Sequence, residues 1–213
     1  VILWKRDIDK WSDHMHGFRA GPPDLPFRLV TDGDRVYVTM GIDQPVTALD
    51  AATGKTLLTY KGSQHTRQII HTRETLIMLL GDSQVAIHLK RRGQNESPHR
   101  VILAADRKTG DILWRKEVSV KTLLPLVVSG DSLLYQTDAN LVCLKLKSGD
   151  RKWSIPHPCR MPRVRGGAWQ WASPTLAACK GIVYVADFKT LAAFSIDDGK
   201  ALWNSSSAAG FCS

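Results

Sequence analysis

The chain has 213 residues, 43% of them hydrophobic, and 29 Lys and Arg against 20 Asp and Glu give it a net charge of +9. That is enough apolar material to bury a sizeable core, which excludes a disordered or fibrous polypeptide. No apolar run approaches the roughly 20 residues of a membrane-spanning helix. Helical periodicity is weak, whereas short β-branched runs separated by Gly, Asp and Ser turns recur throughout, the pattern of an all-β protein.

The first stretch, Val1–Ile8, aligns with Asp111–Val118 and reads as the tail of a repeat. Four fuller repeats follow, each with four strand candidates, A to D. The first places them at Phe27–Val30, Arg35–Met40, Pro45–Asp50 and Thr56–Tyr60. The second gives Gln68–His71, Thr75–Leu80, Val101–Asp106 and Ile112–Val118, with hairpin arms reaching through Val85–Leu89. The third gives Leu124–Val128, Ser132–Thr137, Leu141–Lys145 and Lys152–Ile155, and the fourth Ser173–Ala178, Ile182–Ala186, Leu191–Ser195 and Ala201–Asn204.

What repeats most clearly is the C-to-D hairpin, in which a small residue precedes a Gly and then a large apolar residue. Its copies are Ala48, Gly54, Leu58; Ala104, Gly110, Trp114; Cys143, Gly149, Trp153; and Ala193, Gly199, Trp203. The Gly supplies the positive φ expected of a two-residue hairpin turn, and neighbouring Asp, Thr or Ser side chains can bond the turn backbone. A hairpin cannot bury an indole alone, so each copy implies a docking neighbour.

The fullest copy, Ala104-Ala105-Asp106-Arg107-Lys108-Thr109-Gly110-Asp111-Ile112-Leu113-Trp114, resembles the tryptophan-docking motif of the pyrroloquinoline quinone (PQQ)-like β-propeller repeats. The resemblance covers nearly the whole chain. It implies an all-β, PQQ-like β-propeller fragment of four-stranded antiparallel blades, a partial propeller of about four blades where closure takes roughly 4–8. The blades fall at 9–60, 61–118, 119–155 and 156–204 within a single partial propeller, 1–213. Residues 1–8 end a preceding blade and 205–213 begin the next connection. No signal peptide opens the chain, because Val1 already lies inside a repeat. The repeats are shared by quinoprotein alcohol dehydrogenases and by non-enzymatic propellers, including the outer-membrane assembly lipoprotein, so fold is implied more sharply than chemistry.

Three insertions interrupt the repeats: Asp9–Pro26 and Pro156–Ala172 between D and A strands, and Asp82–Arg100 between B and C. In an antiparallel blade these connections leave at the same end, which predicts one loop-decorated working face opposite the short turns. There, Arg160, Arg163, Arg165, Trp169 and Trp171 form a candidate ligand-binding cluster, able to clamp an anionic or planar group. The alternative is that the tryptophans cap a seam and the arginines are solvated. His14 and His16 are weak metal candidates with no second ligand pair; ordinary loop histidines suffice. Cys143 reads as a buried space-filler, Cys179 lies near the short-turn face, and Cys159 with Cys212 is a candidate disulfide suited to an exported protein.

Positive charge can attract nucleic acid or anionic lipid, yet the basic residues are scattered over turns without an aromatic stripe, which argues against nucleic acid. No catalytic set is readable. The reading is therefore a non-catalytic, exported, periplasmic propeller that binds protein or a small-molecule ligand through its looped face and packs on further blades of the same propeller. The alternative is a PQQ-dependent quinoprotein oxidoreductase of alcohols or sugars, with PQQ and calcium implied by resemblance alone. That family's adjacent-cysteine disulfide has no counterpart here, and no acidic base is assignable. A cytoplasmic adaptor, a third reading, predicts free thiols throughout.

Overall fold

A computed structural model describes residues 2–7, 25–82, 99–119, 125–159, 175–187 and 190–206. The chain divides into two units, Val1–Val118 and Ser119–Ser213. Each holds two four-stranded antiparallel sheets whose strands pair in sequence order. The first unit contains β1 (Leu29–Thr31), β2 (Arg35–Thr39), β3 (Val46–Asp50) and β4 (Thr56–Thr59), then β5 (Thr66–His71), β6 (Thr75–Leu80), β7 (His99–Asp106) and β8 (Ile112–Ser119). In the second unit, β9 (Leu126–Ser129), β10 (Ser132–Gln136), β11 (Asn140–Lys145) and β12 (Arg151–Pro156) precede β13 (Thr175–Cys179), β14 (Ile182–Ala186), β15 (Thr190–Ser195) and β16 (Ala201–Ser206). These are the blades of a PQQ-like β-propeller. The boundary between the units falls between the second and third sheets.

The expected strand positions hold to within a few residues, and the departures have local causes. Residues Leu25–Arg28 form a 3₁₀ turn before β1. Proline at the second of these positions suits a helical start because its missing N–H costs nothing there. The buried Arg28 side chain then donates to the Ile42 carbonyl at 2.7 Å. Met40 and Tyr60 fall just outside their strands, while β16 runs two residues past Asn204. The arm Val85–Leu89 lies outside the described residues.

The motif turn is longer than a two-residue hairpin. The amides of Asp50, Asp106, Lys145 and Ser195 donate to the carbonyls of Lys55, Asp111, Asp150 and Lys200, enclosing four residues. Inside each, the Gly amide donates back to the first residue's carbonyl. The glycines take the left-handed conformation, with φ of 70° at Gly54, 80° at Gly110, 72° at Gly149 and 75° at Gly199. Asp50 and Asp106 each accept two turn amides on Oδ1, which rigidifies the reversal. The small motif residue sits directly across from the large one: Ala48 opposite Leu58, Cys143 opposite Trp153 and Ala193 opposite Trp203, each beside a register shift.

Packing follows from burial on both sheet faces. Every residue of β6 and β10, inner strands of their sheets, is buried. In the first unit, Tyr37, Val46, Tyr60, Leu76, Met78 and Leu103 share a core cluster. In the second, Leu134, Leu141, Cys143, Val183, Val185 and Phe194 do the same.

Candidate functional site

Within each sheet, the A–B and C–D turns lie at one end and the B–C connection at the other, together with the link to the next sheet. The turn ends are tight: β9 ends at Ser129 and β10 begins at Ser132, and β13 and β14 are separated only by Lys180 and Gly181. The opposite ends carry the long connections, from Leu80 to His99 and from Pro156 to Thr175.

At that end of the first unit stand three buried arginines, Arg28, Arg67 and Arg100. A guanidinium taken out of water must be hydrogen-bonded. Arg28 reaches Ile42 in the β2–β3 connection. Arg67 Nη2 reaches the Asp82 carbonyl at 3.0 Å, just past β6, and Arg100 Nη1 holds the His99 carbonyl at 3.0 Å. Gly81 is pinned too, its amide donating to the His65 carbonyl at 3.0 Å while Arg67 fills the space a Cβ would need, with Nε 2.8 Å from it. His65 has a positive φ of 63°, and its Nδ1 lies 3.1 Å from Asp43 Oδ1, without hydrogen-bond alignment. The roots of both B–C connections are thus fastened to the entry of β5.

The corresponding end of the second unit is built differently. Gln136 is buried and its Nε2 donates to the carbonyls of Thr137 at 2.7 Å and His157 at 2.6 Å. The His157 amide donates to the Ala139 carbonyl and the Cys159 amide to the Asp138 carbonyl, so the chain leaving β12 is strapped to the β10–β11 turn. The His157 ring meets Phe194 edge-on, with centroids 5.1 Å apart. Burial holds its imidazole below the ordinary value against the opposing pull of Asp187, so it is neutral at neutral pH. Asp187, itself buried, accepts both the amide and the hydroxyl of Thr190. Gln136 Oε1 and His157 Nε2 are buried without a hydrogen-bond partner among the described residues, leaving one acceptor and one imidazole nitrogen at the root of the long β12–β13 connection.

Of the residues singled out from sequence, Arg160, Arg163, Arg165, Trp169, Trp171, His14, His16 and Cys212 lie outside the described residues. Cys159 is half-buried at the start of the β12–β13 connection, Cys179 is exposed, and burial raises the Cys143 thiol above its ordinary value. Ala48, Ala104, Cys143 and Ala193 are fully buried. Trp114 is buried and Trp153 half-buried, while Trp203 is 45% exposed. Sequence reasoning missed Arg28, Arg67, Arg100, Gln136 and His157. The available signal was a cation set against an apolar strand, as in Phe27-Arg28-Leu29 and His99-Arg100-Val101. Such residues are almost never fully buried unless paired.

Among the described residues no group of three or more His, Cys, Asp or Glu can hold a metal ion, and the sequence contains no adjacent cysteines. No described helix is long and apolar enough to cross a membrane.

Comparison with known proteins agrees with this architecture. Residues 2–164 match the family model described as outer membrane protein assembly factor BamB. Over 103 residues the chain is 29% identical to outer membrane protein assembly factor BamB of Moranella endobia (strain PCIT), covering 48% of this chain and 25% of that protein. Among solved structures, the computationally designed Ika8 protein superposes with a TM-score of 0.61 at 15% identity, and BamB from Moraxella catarrhalis with 0.57 at 17%. Each covers 85% of this chain and 49% of the other. A quinohemoprotein alcohol dehydrogenase, ADHIIG from Pseudomonas putida HK5, gives 0.54 at 12% identity, covering 83% and 33%. At such identities these structures speak for the fold alone. The chain spans about a quarter of the curated relative's length and about half that of the first two structures.

Proposed function

Because the chain belongs to the family of the outer membrane protein assembly factor BamB, we propose that it acts as an exported, non-catalytic β-propeller scaffold whose loop-bearing blade ends hold other proteins. The observation that carries this reading is the asymmetry of the sheets. Long connections leave one end, rooted by buried Arg28, Arg67, Arg100 and Gln136, while the other end keeps minimal turns. Buried side chains that fix loop roots make a rigid platform from which variable loops can present contacts. Its partners are proteins of the outer-membrane assembly apparatus, in keeping with the names of its relatives. Arg160, Arg163, Arg165, Trp169 and Trp171, on the β12–β13 connection, are the proposed contact residues, and a small anionic ligand would use the same group. A Cys159–Cys212 disulfide would brace that end in an oxidising compartment.

The test uses the full-length protein, affinity-tagged and recovered from detergent-solubilised envelopes. Arg163→Glu combined with Arg165→Glu, and separately a short Gly-Ser turn in place of 83–98, should each lower capture of assembly proteins by about tenfold, a change of about 1.4 kcal/mol. Near-UV circular dichroism should be unchanged. Undiminished capture by both variants would exclude the looped ends as the binding surface.

A further inference from the structure

Where an indole occupies the motif's last position and its contact is described, it closes the gap to the next turn in one repeated way. The Trp4 ring lies against Gly54, within 2.6 Å of where a Cβ would stand, and its Nε1 donates to the Ala51 carbonyl at 2.8 Å. The Trp153 ring lies against Gly199, 3.0 Å from such a Cβ, and its Nε1 donates to the Ile196 carbonyl at 2.8 Å. In both cases the accepting carbonyl belongs to the residue three before the Gly.

Between the first and second sheets the same place is taken by Leu58, whose Cδ2 stands 3.1 Å from a Cβ on Gly110. Leucine brings the apolar contact but no N–H. The equivalent carbonyl, three before Gly110, is that of Arg107, and it is nevertheless occupied. The hydroxyl of buried Tyr60 donates to it at 2.6 Å and Arg35 Nη1 at 3.0 Å. The donors come from one sheet and its edge, and the acceptor from the turn of the next. Arg107 Nη1 reaches back across the same seam to pair with Asp32 Oδ2, which also accepts the Tyr37 hydroxyl at 3.1 Å. Asp32 Oδ1 accepts the Arg35 amide at 2.9 Å, fixing the residue that supplies the second donor.

We propose that Tyr60 and Arg35, braced by the Asp32–Arg107 pair, form a polar latch that replaces the missing indole and closes the seam between the first two sheets through the Arg107 carbonyl. The replacement changes the character of the seam. An indole contact carries no net charge, whereas this latch draws on an ion pair largely shielded from solvent, with 20% of the Arg107 side chain and 8% of that of Asp32 exposed. Salt therefore weakens this seam only modestly, the pair being mostly shielded, and finds no charge to screen at the Trp153–Gly199 contact.

The experiment is a thermal-unfolding cycle on the full-length protein. Tyr60→Phe keeps the ring and removes only the donor, and it should lower Tm by about 2–6 °C. Leu58→Trp in that background supplies an indole N–H in place of the lost Tyr60 donor and should recover most of the loss, while gaining less in the wild-type background. A Tyr60→Phe Tm within about 1 °C of wild type would overturn the proposal, as would equal effects of Leu58→Trp in both backgrounds. Should the bulkier side chain prevent folding, Arg35→Met and Tyr60→Phe are measured singly and together. The latch requires the pair to cost more than the sum, because only the second loss leaves a part-buried carbonyl with no donor; strict additivity would refute it.

Discussion

At the scale of single residues, the motif glycines combine two demands that are usually separate. Gly54 has a φ of 70°, and its missing Cβ is where the Trp4 ring lies. Gly33 also has a positive φ, 97°, but a Cβ there would meet nothing within 4 Å. Alanine at Gly33 therefore carries only backbone strain, about 1 kcal/mol. At Gly54 it carries the same strain and also displaces the indole from its carbonyl, so Gly54→Ala should cost about 2–4 kcal/mol. Urea denaturation reads the difference as a shift in midpoint at unchanged slope. Equal costs at the two glycines would mean that the Trp4 contact contributes nothing. The turn glycines and their Asp partners were legible in the sequence because the bonds that shape the reversal close within five residues. Arg28 and Ile42, or Arg67 and Asp82, meet over longer stretches of chain and follow no spacing rule.

At the scale of elements, the seam between the first two sheets is the place where acid should act. Burial by itself would raise the Asp32 carboxyl. The Arg35 amide, the Tyr37 hydroxyl and the charges of Arg107 and His71 outweigh it and hold the carboxyl below its ordinary value. The Tyr37 hydroxyl, desolvated and beside that carboxylate, is pushed up to about 12 and stays a donor across the accessible range. A carboxyl depressed in the folded state contributes stability that is complete above its unfolded pKa of about 3.9 and lost as pH falls through the folded value. Unfolding free energy should therefore decline below about pH 5, and Asp32→Asn should flatten part of that decline while lowering stability at neutral pH. Asp50, Asp106 and Asp198, depressed by their turn hydrogen bonds, and Asp131, depressed by Lys152 and Ser132, keep the rest. A pH profile of Asp32→Asn parallel to wild type would show that this carboxylate is not linked to folding. At Leu58 the sequence shows the missing indole but not the tyrosine, arginine and carboxylate that converge there from other parts of the chain.

At the scale of the whole molecule, the repeats made the sheets legible and hid the site, for the same physical reason. A hairpin motif states which residues turn and which pack, and it recurs because every blade must satisfy both. What distinguishes one blade from another lies in connections that obey no repeat. The packing rule also says where the described fold is left uncovered. In the second unit, Trp153 of β12 is seated on the Gly199 turn, but all six residues of β16 are exposed, with Leu202 at 48% and Trp203 at 45%. Tyr184 is the described aromatic neighbour of that indole, with ring centroids 6.2 Å apart. An outer strand that presents Leu and Trp side by side and an unpaired backbone edge favours association. Expressed alone, residues 1–213 should self-associate as concentration rises over a roughly hundredfold range, and Leu202→Gln with Trp203→Gln should shift the population to monomer in sedimentation velocity. Because both side chains are exposed, the double substitution should leave the unfolding midpoint nearly unchanged, which separates loss of a sticky face from loss of fold. A monomeric parent, or a doubly substituted chain that sediments like the parent, would show that this face is not where the copies meet.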